Sequence, residues 1–406
     1  MAKRKLQSVI LKLFRNKNDF NYLSENYIFY NVFKNRIAVK IAFFINGFIF
    51  ANWVSRLPRI QEQYHADNGS IGLVLLALSC GAVLAMPFTG WIIIKNGSRL
   101  ITLFSLIMYC ALVPIIPLLP NIATLVILYF IVGTVTGMLD VAMNAQAVMV
   151  EQQYNKPIMT SFHALFSIGM ALGAWCGALF TDLGLNLTYH FTIVVGISLI
   201  ATFWASANLI HDRPDPSAKH DGPLFRLPNA SLVSIGIIAF CCMIGEGAMS
   251  EWSVNYMENI ALASKALAPI SLSAFATAMT IGRIFGDRIR MKLGDKNLII
   301  LGGMIATLGL CIALIFPLPY IAITGFFLVG LGLSSIVPIA YSIAGNSKNL
   351  PPGVGLAMVT TVGYSGFLFG PPIIGFIADW QSLRLALGAI AVLFVVMTLL
   401  SARYKS

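Results

Sequence analysis

Apolar residues recur along this chain in long runs almost free of charge, from residue 37 to residue 402. Polar residues gather in the short gaps between the runs. About 20 apolar residues carry one helix across a bilayer. The runs place twelve such spans near residues 37–58, 70–94, 99–119, 122–150, 161–181, 188–210, 230–257, 266–285, 297–316, 319–344, 353–377 and 383–402. The alternation over ~10-residue segments that marks a membrane β-barrel is absent. The pattern predicts an all-α polytopic membrane protein.

A few polar residues interrupt these runs, and they carry the candidate chemistry. In span 4, Gly133, Gly137, Asp140 and Asn144 fall on one narrow helical stripe. An ionisable group at that depth is costly in lipid, so Asp140 is expected to face a cavity or a partner and to carry a proton. The glycines above it let a ligand or a neighbouring helix come close. A buried carboxylate that only holds helices together is the plainer alternative. Span 7 holds Gly245-Glu246-Gly247 at mid-depth, then Glu251, Trp252 and Asn255. Glu246 is the better cavity candidate and a second proton-coupling residue. Glu251 is either a solvated rim charge or the partner of Arg56, which follows Asn52 and Trp53 in span 1. Asn52, Trp53, Asn144, Glu246, Trp252 and Tyr341 are the candidate solute contacts, with the tryptophans stacking on an apolar sugar face. Arg56, Glu251, Arg99 and Arg283 are the gating candidates. His163, at the start of span 5, reads either as a proton relay or as an interfacial polar group.

Composition agrees with a membrane chain: 58% of residues are hydrophobic and 11% charged, against about 25% charged in soluble domains. The net charge of +11 does not indicate a nucleic-acid partner, because of where the charge lies. Only Arg56, Arg59, Lys265 and Arg384 of the 27 Lys and Arg fall on the side opposite the N-terminus. That bias predicts a cytoplasmic (inner) membrane protein with both termini in the cytoplasm. The six cysteines all sit within spans and read as small apolar fillers. No phosphate-binding Gly-x-x-x-x-Gly-Lys loop, catalytic triad spacing or metal cluster is present, so no enzyme activity, cofactor or metal is expected.

Residues 1–36 form a basic N-terminal segment, in which Leu6, Val9, Ile10, Leu13 and Phe14 share one face. They read either as an interfacial helix on the inner leaflet or as a disordered tail. Residues 211–229 are a polar, Pro-containing cytoplasmic linker. It separates a six-helix bundle over 37–210 from a second over 230–406. The bundles match each other at a nearly constant shift. Gly97 pairs with Gly294, Arg99 with Lys296, Val132-Gly133 with Val329-Gly330, and Gly169, Gly173 and Asp182 with Gly366, Gly370 and Asp379. Asn52-Trp53 pairs with Glu251-Trp252. Asp140 falls opposite Val337 and Glu246 opposite Gly47, so each half keeps its own acid.

Two similar six-helix halves joined by a polar linker resemble the major facilitator superfamily. Its loop signature after span 2 is matched by Gly90, Gly97 and Arg99, but Ile94 stands where that signature has its acid. Within the superfamily, Gly137-Met-Leu-Asp140-Val-Ala-Met-Asn144 resembles the span-4 stretch of the fucose:proton symporter branch. Glu246 ahead of Val254-Asn255-Tyr256 in span 7, Gly282-Arg283 before the loop after span 8, Ser335 to Pro338 in span 10, and Gly370-Pro371-Pro372 with Asp379 also resemble that branch. The resemblance implies proton coupling and sugar recognition for Asp140. The branch's span-1 aspartate falls near Val54, so that role is carried to Asp140 alone. The wording Asp140-Val-Ala-Met-Asn-Ala-Gln146 is also similar to a rhizopine-transporter-like subgroup. The expectation is a monomeric secondary transporter of a sugar- or polyol-like solute, driven by protons. A drug/proton antiporter is the alternative within transport, and a non-transporting membrane receptor the alternative outside it.

Overall fold

In the computed structural model, residues 17–154, 158–212, 232–345 and 354–403 are described. They form thirteen helices, with no strand among the described residues. The expected amphipathic face between Leu6 and Phe14 lies outside them. The helices are α1 (Lys17–Val54), α2 (Leu57–Tyr64), α3 (Asn68–Asn96), α4 (Ser98–Leu112, extended by the 3-10 turn Val113–Leu118), α5 (Ile122–Tyr154), α6 (Met159–Asp182), α7 (Leu187–Ser206), α8 (Val233–Asn259), α9 (Ile270–Ile315), α10 (Pro319–Leu333), α11 (Ile336–Gly345), α12 (Val354–Trp380) and α13 (Leu383–Arg403). Eleven segments are long and apolar enough to cross a membrane, and Ile270–Gly286 is a shorter apolar helix where the eighth span was expected.

Sequence explains the breaks. Pro58 opens α2, where its missing N–H costs nothing. α2 ends on His65 in the left-handed conformation (φ 48°). Asp67 then caps α3, its carboxylate accepting from Ser70 N at 2.7 Å. Span 10 divides at Ser334-Ser335 into α10 and α11. Pro338 lacks the N–H that would bond the Ser334 carbonyl, so the helix relaxes there. The paired glycines of the repeat adopt one backbone shape: Gly97 has φ 81° and ψ 151°, and Gly294 has φ 77° and ψ 164°. Such a φ is open to glycine and strained for other residues. The turn between α3 and α4 and the kink within α9 are therefore the same device used twice.

The repeat recurs in the packing. A Cβ on Gly133 would strike the Leu78 backbone carbonyl, and one on Gly330 the Phe275 carbonyl. The two contacts share one sequence shift. Backbones meet this closely because small residues leave room, which is how helices associate without help from water. The helices α1 and α3–α7 pack among themselves, as do α8–α13, and the two sets meet mainly along α3–α12 and α6–α9. Ser79 Oγ donates to the Phe367 carbonyl at 3.1 Å on the first seam, and Ser273 Oγ to the Ala171 carbonyl at 2.9 Å on the second.

The sets are also tied at the end of the molecule that holds α2. Asp379 of α12 receives the first N–H groups of α3, from Asn68 N at 2.9 Å and Gly69 N at 2.5 Å. Arg59 pairs with Glu258, Lys265 Nζ lies 3.1 Å from Glu62, and Asn255 Nδ2 donates to Gln61 at 3.0 Å. Charges and a capped helix thus join the halves across that end.

Candidate functional site

A cavity of about 400 Å³ lies between the two sets, lined from α1, α3, α4, α5 and α6 on one side and α8, α9, α11 and α12 on the other. Asp140 lines it from α5 and Glu246 from α8. Asn144, one turn on, donates to the Asp140 carboxylate at 3.2 Å and to its carbonyl at 2.8 Å. Among the described residues Asp140 has no ion pair. Glu246 does have one: Arg283 Nη2 stands 3.8 Å away, and Nη1 of the same guanidinium donates to Ser167 Oγ at 2.8 Å, across the α6–α9 seam. These two acids therefore differ. One is held by a cation and the other only by an amide.

The glycines before Asp140 meet a helix. Gly133 and Gly137 press on Leu78 and Ala82 of α3, which fixes α5 so that Asp140 faces the cavity. Trp53 also lines the space, with Nε1 donating to Tyr109 Oη at 3.0 Å and its ring edge-on to Tyr129 at 5.1 Å. Tyr341 lines it from α11, its hydroxyl directed at Met243 Sδ at 3.6 Å. Glu251 lines it too; it is 6% exposed, and its Oε2 is buried with no hydrogen-bond partner.

Other expected residues sit elsewhere. Asn52 is fully buried between α1 and α7; its amide donates to the Phe48 carbonyl at 2.8 Å and its Oδ1 meets His190 Nε2 at 2.7 Å. Trp252 is buried and does not line the cavity. Asn144 acts through Asp140 and is not part of the lining. The expected Arg56–Glu251 pair does not form. Arg56 donates instead to Thr181 Oγ1 at 2.9 Å and to the Leu185 carbonyl at 2.7 Å. The turn after α6 offers the Leu185 carbonyl, and the helix end a negative dipole, within its reach. Arg99 lies far from the cavity. It holds the end of α7 through the Ser206 carbonyl at 2.8 Å and contacts His211, while Asp212 caps α4 through Ser98 N and Arg99 N.

Some lining residues gave no strong signal in sequence. Tyr364 and Phe367 come from a helix read for its glycines and prolines, and Met86, Met143, Met170, Met243 and Met279 look like ordinary apolar span residues. His163 joins the lining, edge-on to Phe43 at 5.2 Å. Gln146, the last residue of the span-4 motif, is a structural anchor: it donates to Ser98 Oγ at 2.8 Å and bonds both backbone groups of Ile210. Among the described residues, no group of His, Cys, Asp and Glu is placed to hold a metal ion.

Comparison with known proteins matches the Major Facilitator Superfamily over residues 40–352. The chain belongs to the major facilitator superfamily. It is 36% identical to an uncharacterized MFS-type transporter of Yersinia pestis over 89% of this chain and 93% of that one. It is 33% identical to the membrane protein MosC of Rhizobium meliloti over 86% and 85%. Among solved structures, a mutant of the nucleoside transporter NupG superimposes with a TM-score of 0.74 at 15% identity, covering 91% of this chain and 99% of that one. A bacterial homolog of the human lysosomal transporter Spinster, in an inward-facing and unoccupied conformation, gives 0.69 at 15% identity, covering 92% and 96%. The fold is therefore that of this superfamily, and the chain is a membrane transporter of the MFS type.

Proposed function

We propose that this chain is a secondary active transporter of a small polar solute, sugar- or polyol-like, coupled to protons through Asp140. The observation that carries the reading is a carboxylate on the central cavity with one amide neighbour and no cation. Such a group is tolerable when water and solute reach it. In alternating access, the halves 37–210 and 230–406 rock about the cavity while the linker 211–229 stays in the cytoplasm. Asp140 gains a proton from one side, which removes a buried charge and permits the turn, and gives it up on the other. The gradient supplies about 2.3 kcal/mol per charge per 100 mV. The ties at the α2 end support a state closed on that side. The charge bias supports that side facing outside, with both termini in the cytoplasm of an inner membrane. In this reading the monomer is the transporting unit, each copy carrying a cavity lined from both of its halves.

The fucose:proton symporter branch is a functional parallel for the span-4 stretch, and the solute class follows from it. The test is uptake into proteoliposomes, scanning sugars and polyols with and without a pH gradient. Asp140→Asn should keep counterflow of the transported solute and lose gradient-driven accumulation. Unaltered accumulation in that variant removes the coupling role. A second reading, a drug/proton antiporter, draws on the five methionines and several aromatic rings of the lining, which adapt to amphipathic compounds. Inhibition of uptake by lipophilic cations, with no sugar or polyol transported, would favour it.

A further inference from the structure

The cavity's charges are unequal. Asp140, Glu246 and Glu251 line it, against one guanidinium, Arg283. That guanidinium is already engaged by Glu246 at 3.8 Å and by Ser167 at 2.8 Å. Asp140 is held by Asn144. Glu251 has nothing comparable. Its residue is 6% exposed, its Oε2 is buried without a donor, and no ion pair reaches it among the described residues. A carboxylate acceptor sealed from water costs free energy until a donor arrives. Arg56, the cation expected to pair with it, is turned away to the end of α6. Among the described residues, the protein therefore does not supply the missing donor.

We propose that Glu251 is an anchor for a protonated amine, so that the transported solute is a polar molecule carrying a cationic nitrogen. This deepens the polar-solute reading above and rests on it. An ammonium brings both the N–H that the orphaned oxygen lacks and the positive charge that the lining lacks. Trp53 and Phe50, edge-on at 5.3 Å, line the same space and offer ring surface to the solute's apolar side. An anionic solute would meet two carboxylates with no cation of their own, and the one guanidinium is occupied.

The experiment is calorimetric titration of the purified full chain, in detergent near neutral pH, with three probes of one ring frame: glucosamine, glucose and glucuronate. Glucosamine should bind about tenfold more tightly than glucose, the ratio of one added charge-assisted contact, and glucuronate more weakly than both. Glu251→Gln should bring glucosamine down to the affinity of glucose and leave glucose unchanged, while Glu251→Asp keeps part of the preference. If glucose equals glucosamine in the native chain, or Glu251→Gln keeps the preference, the amine anchor is wrong and the polar-solute reading survives. If none of the three binds, while tetraphenylphosphonium does, both fall, because that cation has no N–H to offer.

Discussion

Asp379 offers the sharpest test of how the two halves are held. Its carboxylate sits on the N-terminus of α3, a helix of the other half. Oδ1 accepts from Asn68 N at 2.9 Å and Asn68 Nδ2 at 3.0 Å, and Oδ2 from Gly69 N at 2.5 Å. A hydrogen bond to a charged group contributes roughly 1.5–3 kcal/mol, and a negative charge at a helix N-terminus adds about 0.3–1 kcal/mol. Asp379 is exposed, so water replaces much of this when it leaves. A net of about 1–2 kcal/mol remains, which is a factor of about 5–30 in the ratio of closed to open states at the α2 end. Asp379→Ala should move that ratio, and Asp379→Asn, which keeps one oxygen, should move it less. Spin labels at Gln63 and Gln381, both exposed and on opposite halves, report the separation by pulsed electron resonance in lipid nanodiscs. The long-distance population should grow by the stated factor. An unchanged distance distribution in Asp379→Ala would show that apolar packing alone holds this end. Ile94 adds weight to the test: the superfamily's acid after span 2 is missing, and the described carboxylate clasp stands at the opposite end of α3.

Three other contacts make predictions of their own. Arg59→Ala strands Glu258, which is only 12% exposed; stability should fall toward the ~3 kcal/mol of a broken buried pair, and the swap Arg59→Glu with Glu258→Arg should restore most of the melting temperature. Gly133→Leu forces a side chain into the Leu78 carbonyl; overpacking of about 1–3 kcal/mol or more should appear as a lower melting temperature, and Gly330→Leu should do the same at Phe275. The Asp67 carboxyl is held below its usual range by its bonds to Ser70. A depressed acid stabilises above its unfolded value and loses that contribution as pH falls through the folded one; the stability gap between native chain and Asp67→Ala should thus be flat above a pH of about 4 and close below it, as thermal melts across pH will read.

The helices were legible in the residue pattern alone. Hydrocarbon leaves the backbone no partner but itself, so a long uncharged run has one stable form, and twelve runs announced the architecture. The pattern also exposed the repeat: Gly133 and Gly330 stand where close helix contacts admit only small residues, and Gly97 and Gly294 where the backbone takes a φ that favours glycine. Asp140, Glu246, Trp53 and Tyr341 stood out because polar or aromatic groups inside such runs need a reason to be there. Everything that depends on which groups meet waited for the folded chain. Arg56 was assigned to Glu251 by its place near the rim, yet the Thr181 hydroxyl at the end of α6 and the Leu185 carbonyl just past it take its guanidinium. Asn52 looked like pathway lining and instead closes a hydrogen bond with His190, a residue too far along the chain for periodicity to connect. Glu251, a gating candidate in the sequence, became an anchor candidate only when no cation among the described residues was found paired with it. Periodicity fixes the face a residue occupies on its own helix; it carries no information about the neighbour across the gap, and it is that neighbour which makes a charge an anchor, a latch or a filler.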